Sequence, residues 1–268
     1  MTDPRHRRWG DLTTEDFASL DPERTVALLP IAATEQHGPH LPLSTDADIA
    51  EGLIAAGTDR LAEGIDLLIL PMLGVGLSPE HADFSGTLTL EPETLLAAIC
   101  EIGAGVAASG VRKLALFNSH GGQSQMLDLA AQRLRRDYES LVVAINGYRL
   151  WRADEIFPEA EVRHGIHAGA VETSIMLHLK PKLVRQDRLA SHGSLSARME
   201  GDYERLTPFG RVGFGWQAQD LSETGACGDA TLASAEAGRL LVDQAATALA
   251  VLLGEIARLP LDTLKDRA

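Results

Sequence analysis

The sequence predicts a layered α/β fold built on a mostly parallel sheet, and three observations carry that prediction. Short apolar runs bounded by turn residues alternate with longer helical patterns along the chain. The runs are continuous rather than alternating, as expected of strands buried on both faces. A chain of 268 residues can bury a core of its own without disulfide staples. We expect a single domain over residues 1–268, because no repeat, low-complexity tract or Pro/Ser-rich linker divides it.

The elements follow in order. TVALLPIAA (25 to 33) reads as the first buried strand, and residues 46 to 61 as the helix after it. DLLILPML (66 to 73) is the second strand, followed by a helix over 93 to 109. KLALFN (113 to 118) leads into a helix over 123 to 136, and LVVAIN (141 to 146) is the fourth strand. A helix holds residues 171 to 179, and a long Ala- and Leu-rich helix over 231 to 258 packs on the sheet.

Composition excludes several functions. Lys and Arg number 24 against 38 Asp and Glu, a formal charge of −14, which argues against nucleic acid and anionic membrane partners. No apolar run approaches the roughly 20 residues of a membrane helix, and the opening MTDPRHRRWGDL lacks the apolar core of a secretory signal. A cytoplasmic location is therefore expected. The two cysteines, Cys100 and Cys227, form no CxxC pair and read as plain thiols. Aromatic residues make up 4%, too few for a base-stacking or sugar-binding platform.

In a parallel sheet, ligands bind where loops leave the carboxyl ends of the strands. Two such loops are rich in chemistry. ATEQHGPHLPLSTD after the first strand carries Glu35, His37, His40 and Asp46, the mixture of carboxylate oxygens and imidazole that binds Zn²⁺ or Mn²⁺. Asp46 also stands where an N-cap would, so a capping role competes with a ligand role. The loop NSHGGQS after the third strand carries His120 followed by Gly121 and Gly122. Neither Gly-rich phosphate pattern is present. HAGAVETS adds His167 and Glu172, the latter in a position that also suits a helix dipole. Glu35, His37, Asp46, His120 and Glu172 suffice for two divalent ions sharing one carboxylate.

The segments LPIAATEQHGPHLPLSTDADIA, EHADFSGTLTL, LFNSHGGQ, HAGAVETS and SETGACGDATLASAEAGR resemble, in order, the signature blocks of the creatininase (creatinine amidohydrolase) family. The resemblance implies a three-layer α/β/α fold, a dinuclear metal site that opens C–N bonds with water, and a ring-like homohexamer or other homo-oligomer. It implies metal ligation by Glu35, His37, Asp46 as the bridge, and His120, with Zn²⁺, Mn²⁺ or Fe²⁺ as the two ions per chain. Creatininase proper has one more ligand carboxylate where this chain has Gly122; Glu172 can complete the set, as in branches with an HGG turn. His167 matches a catalytic histidine and is assigned proton transfer to the leaving nitrogen.

His81 is assigned to the pocket lining or to a structural hydrogen bond, and Trp151 to a pocket wall or to apolar packing. His40 and His164 are placed near the site without ligating, and His6, His178 and His192 at the surface or in the core. The resulting expectation is a metal-dependent amidohydrolase acting on a non-peptide C–N bond of a small cyclic or linear amide, through a hydroxide held between the ions. The same blocks also resemble the mycofactocin precursor peptidase branch, and a formamide deformylase is a third substrate class. A non-catalytic metal- or ligand-binding protein on this scaffold is the rival from another class.

Overall fold

The computed structural model describes residues 6–210 and 212–265. Five parallel strands form the central sheet: β1 (His6–Arg8), β2 (Thr25–Ile31), β3 (Asp66–Ile69), β4 (Lys113–Asn118) and β5 (Leu141–Asn146), in the order β1-β3-β2-β4-β5. The helices are α1 (Thr14–Phe17), α2 (Thr45–Thr58), α3 (Pro92–Ala108), α4 (Ser124–Tyr138), α5 (Glu159–His164), α6 (Ala170–Leu179), α7 (Leu195–Met199), α8 (Ala218–Leu221) and α9 (Ala235–Arg258). A two-stranded antiparallel ribbon, β6 (Ser191–His192) with β7 (Gly228–Asp229), stands apart from the sheet.

β2 shows why its sequence is apolar throughout. Val26 and Leu28 face a core shared with Leu53 of α2, Met176 of α6 and Leu241 of α9, whereas Ala27, Leu29 and Ile31 face Ile99 of α3 and Leu127 of α4. The two-residue period of a strand thus feeds two separate cores. The result is a three-layer sandwich, as the sequence predicts.

Differences from the expected elements have physical causes. β1 was not anticipated, since HRR carries no apolar signal; it is an edge strand paired to β3 and tied by Arg7, whose guanidinium sits 2.9 Å from Asp66. β3 ends at Ile69 ahead of Pro71, although Leu73 still donates its N–H to the Pro30 carbonyl at 3.0 Å. α9 begins at Ala235 rather than 231, capped by the Ser234 hydroxyl, which accepts from the Ala237 N–H at 3.1 Å.

This 24-residue helix is long and apolar enough to cross a membrane, a length of apolar character the sequence reading did not credit. Its buried side, including Leu241, Ala245, Leu249 and Leu253, packs in the core with α2 and α6.

At the amino end of β4, Lys113 is fully buried and donates Nζ–H bonds to the carbonyls of Glu23 (2.5 Å) and Ala257 (2.8 Å). Burial lowers its pKa from the ordinary lysine value. The lysine thereby ties the last turn of α9 to the sheet.

β2 runs into α2 on one face and β4 into α4 on the other, so the chain leaves these adjacent strands in opposite directions. That divergence opens a crevice at their carboxyl ends.

Close crossing of α6 and α9 generates a test. A methyl group at Gly238 would overlap the Ser174 carbonyl oxygen of α6, whereas one at Gly52 of α2 meets only the tip of the Leu179 side chain. Gly238→Ala should destabilise the fold by about 1–3 kcal/mol, as overpacking does. Gly52→Ala should cost little, because Leu179 can turn aside and alanine favours the helix by roughly 0.5–1 kcal/mol. Denaturant unfolding of the two variants compares them directly.

Candidate metal centre

The crevice is furnished by the loop that follows β2. Glu35 and His37 are buried there at 0% and 1% exposure. Gly38 reverses the chain with φ +65°, and the space a side chain would take is held by the Ala226 methyl. The His37 Nδ1–H donates to the Glu35 carbonyl at 3.1 Å, which turns Nε2, without a hydrogen-bond partner, into the crevice.

Asp46 is the second residue of α2 rather than its cap; Ser44 occupies the cap position. The Asp46 carboxylate instead lies between two imidazoles: Oδ1 is 3.6 Å from His37 Nε2, and Oδ2 is 3.5 Å from His120 Nδ1. His120 follows β4, where the Asn118 side chain grips the turn by donating to the His120 carbonyl (2.6 Å) and accepting from its N–H (3.0 Å). Gln123 adds a bond to the Asn118 amide oxygen at 2.9 Å. The His120 Nε2–H donates to the Leu77 carbonyl at 3.1 Å, so Nδ1 faces Glu35 Oε1 at 3.2 Å.

Glu172 comes from the first turn of α6, half-buried, with Oε2 4.0 Å from His37 Nε2 and accepting from the Ala168 N–H at 2.5 Å. Ala168 has φ +54°, a left-handed conformation uncommon outside glycine, and this kink aims the preceding His167 into the crevice.

The ligand-type atoms fall into three-residue groups, each spanning less than 4.8 Å: Glu35, Asp46 and His120; His37, Asp46 and Glu172; and Glu35, His37 and His167. The first two share Asp46. Glu35 Oε1 and Oε2, His37 Nε2 and Asp46 Oδ2 are buried without a hydrogen-bond partner. Orphaned polar atoms are rare in folded proteins because each forfeits its hydration. Four of them converging in one crevice fit a site for cations.

Charge regulation in the bare protein agrees. Burial disfavours the Glu35 anion, yet the His120, His81 and His167 imidazoles hold its pKa well below the usual carboxylate range. His37 is raised to about 9 against the cost of burial, by its contact with Asp46 and the charges of Asp46, Glu172 and Glu35. His120 is raised well above its ordinary value in the same way, mainly through Glu35. Asp46 is pushed up to about 6 by burial and by the Glu35 charge. Imidazolium protons therefore substitute for the positive charge that cations would bring.

His81 plays a different part. Gln36 accepts the Gly38 N–H at 2.8 Å through Oε1, which fixes its amide so that Nε2 donates to the Gly225 carbonyl (3.0 Å) and to His81 Nδ1 (2.7 Å). The remaining His81 proton must sit on Nε2, 3.6 Å from Glu35 Oε1. Burial and the neighbouring His167 lower the His81 pKa to about 2, so the ring is neutral with its proton turned toward Glu35. His167 has the opposite tautomer: Nε2–H donates to the Gln36 carbonyl at 2.7 Å and Nδ1 faces Glu35 Oε1 at 3.8 Å. Burial and the His37 charge lower its pKa as well.

The structure thus brings together Glu35, His37, Asp46, His120, Glu172, His167 and His81. Trp151 is not among them; it packs half-buried against the core formed with α2, α6 and α9. An open groove of about 370 Å³ adjoins Gln36 and is lined by Pro39, Leu43, Phe84, Ser85 and Thr224. His40 bonds Thr173 Oγ1 at 2.9 Å, and His164 is held by Ser196 and Glu200. Cys227 is buried, which raises its thiol to about 11 and leaves it unreactive.

Sequence reasoning missed Gln36 and Glu161. The buried Glu161 carboxylate accepts the N–H groups of Ala170 (2.6 Å) and Asp229 (2.7 Å), fixing the start of α6 against the ribbon. No local spacing marks either residue, since His81 and Gly225 for Gln36, and Asp229 for Glu161, lie far along the chain.

Carboxylates and imidazoles buried at the carboxyl ends of adjacent parallel strands define a ligand-binding crevice of the kind parallel α/β enzymes use. The chain belongs to the creatininase family, whose creatinine amidohydrolase model matches residues 10–253. It is 34% identical over 248 residues to the mycofactocin precursor peptide peptidase of Mycobacterium tuberculosis (strain ATCC 25618 / H37Rv), covering 89% of this chain and 90% of that protein. It is 32% identical over 200 residues to the creatinine amidohydrolase of Pseudomonas putida, covering 68% of this chain and 75% of that protein. A solved creatininase variant of Zn-Zn type is similar with a TM-score of 0.74 at 26% identity, covering 92% of this chain and 97% of its own.

His40 yields a test of the packing around this centre. Burial first, and then the His192 ring, lower its pKa from 6.5 to about 4. The unfolded chain takes up this proton while the folded one does not, so stability present above pH 6.5 is lost as pH falls toward 4. Between about pH 7 and about pH 5, thermal unfolding should show the wild type losing on the order of 1–2 kcal/mol more than His40→Gln. Equal losses would mean that His40 is protonated in the fold.

Proposed function

We propose that the chain is a metal-dependent hydrolase that opens an amide C–N bond in this crevice. One observation carries the reading: the two ligand groups share Asp46, whose two oxygens face different histidines. Glu35, Asp46 and His120 would hold one divalent cation, and His37, Asp46 and Glu172 a second; Zn²⁺ and Mn²⁺ both suit this donor set. Bound there, divalent cations supply Lewis-acid polarisation of a carbonyl and acidification of water.

The chain's own groups do the rest. His167 presents an unprotonated Nδ1 to the crevice and is suited to move a proton to the leaving nitrogen. His81 directs an N–H toward the same space and suits an accepting oxygen on the substrate. Gln36 holds both rings in register.

The substrate class is a small cyclic or linear amide. A peptide amide is the second reading, supported by the open groove beside Gln36, whose apolar lining from Pro39, Leu43 and Phe84 suits an extended chain. Gly122 stands where creatininase proper has a carboxylate, which counts against creatinine itself.

Two substitutions in the HAGAVETS segment separate ligand from proton carrier. Glu172→Gln should lower both metal content and turnover, because a neutral amide is the poorer partner for a hard dication. His167→Asn should keep its metal and lose roughly 10²- to 10⁴-fold in turnover. The assay is elemental analysis beside hydrolysis of a panel of cyclic amides and short peptides. Loss of metal in the His167 variant with retention in the Glu172 variant would reverse the assignment. A protein that binds cations but cleaves nothing in the panel would favour the non-catalytic rival.

A further inference from the structure

His120 faces the metal centre with Nδ1, and its other nitrogen is held from behind. Nε2 lies 3.1 Å from the Leu77 carbonyl, 3.4 Å from Ser78 Oγ and 3.4 Å from Glu80 Oε1. Glu80 arrives from the short turn Pro79–His81, and its side chain is only 13% exposed. It reaches His120 through a space that exists because residue 122 is glycine. A Cβ at Gly122 would overlap Glu80 Oε1 and come within 2.6 Å of His120 Nε2. A side chain at residue 122 would therefore displace the Glu80 carboxylate from its place behind His120.

The geometry points to Glu80 as a positioning residue for His120, seated in the space that Gly122 leaves open. This rests on the reading of His120 as a metal ligand. A carboxylate behind a ligating imidazole fixes the ring's orientation and strengthens the opposite nitrogen as a donor. Glu80 does not replace the carboxylate missing at 122 as a ligand: it belongs to none of the three ligand groups. It places a carboxylate behind the His120 ring, at the nitrogen that faces away from Glu35 and Asp46.

The test uses the full chain stripped of metal and titrated with Zn²⁺ or Mn²⁺ by calorimetry. Glu80→Ala should weaken binding about 10- to 100-fold, and Glu80→Gln, which keeps an oxygen but loses the charge, by less. Gly122→Ala should weaken binding to a similar extent by expelling Glu80. The double variant Glu80→Ala/Gly122→Ala should lose less than the sum of the two single losses, because the Glu80 contact cannot be lost twice, although the added methyl still crowds His120 Nε2 at 2.6 Å. Nitrogen NMR of the metal-free proteins gives an independent readout: the His120 Nε2–H resonance should shift in Glu80→Ala and in Gly122→Ala. Additive losses, or an unshifted resonance together with wild-type affinity in Glu80→Ala, would overturn the proposal. A wild-type chain that takes up neither cation would instead defeat the hydrolase reading, while the NMR comparison still decides the Glu80 contact.

Discussion

Burying three carboxylates in one crevice is the constraint around which this molecule is arranged. Glu35 and Asp46 are almost wholly out of water and Glu172 is half-buried. Removing such charges from solvent costs several kcal/mol each even after relaxation, so positive charge must be supplied nearby. In the bare protein it comes from protonated His37 and His120, and the remaining unpaired atoms mark where cations would complete the balance. Metal uptake must then expel those imidazole protons.

The scaffold meets this demand by spreading the ligands over rigid elements. Glu35 and His37 leave β2, His120 leaves β4, Asp46 stands on α2 and Glu172 on α6. His37 is oriented by the Glu35 carbonyl, His120 by Asn118 and Glu172 by the Ala168 N–H, whereas both Glu35 carboxylate oxygens have no hydrogen-bond partner. Glu161 pins α6 where Glu172 needs it. Loose ligands would pay orientational entropy on every binding event, whereas these are positioned when the sheet and its helices form.

Most of this was legible in the sequence, for reasons that differ by residue. β2 and β4 were readable because strands covered on both faces must be apolar at every position. β1 was not, since an edge strand of HRR is specified by backbone pairing and by Arg7 meeting Asp66. Asp46 was ambiguous: local spacing cannot tell a cap from a ligand, and only the approach of His37 and His120 decides which atoms it faces. Gln36, Glu80 and Glu161 were invisible because each acts on a partner brought close by tertiary folding. Trp151, open to either a pocket wall or apolar packing from its sequence position, lies half-buried against the core.

The most direct test of the central claim is anomalous X-ray scattering from crystals of the wild type and Asp46→Ala, each soaked in Zn²⁺ at matched concentration. The account predicts two zinc peaks in each wild-type chain, one on either side of the Asp46 carboxylate, and the loss or severe weakening of both in the variant. A single peak in the wild type, or two peaks of undiminished height without Asp46, would contradict it.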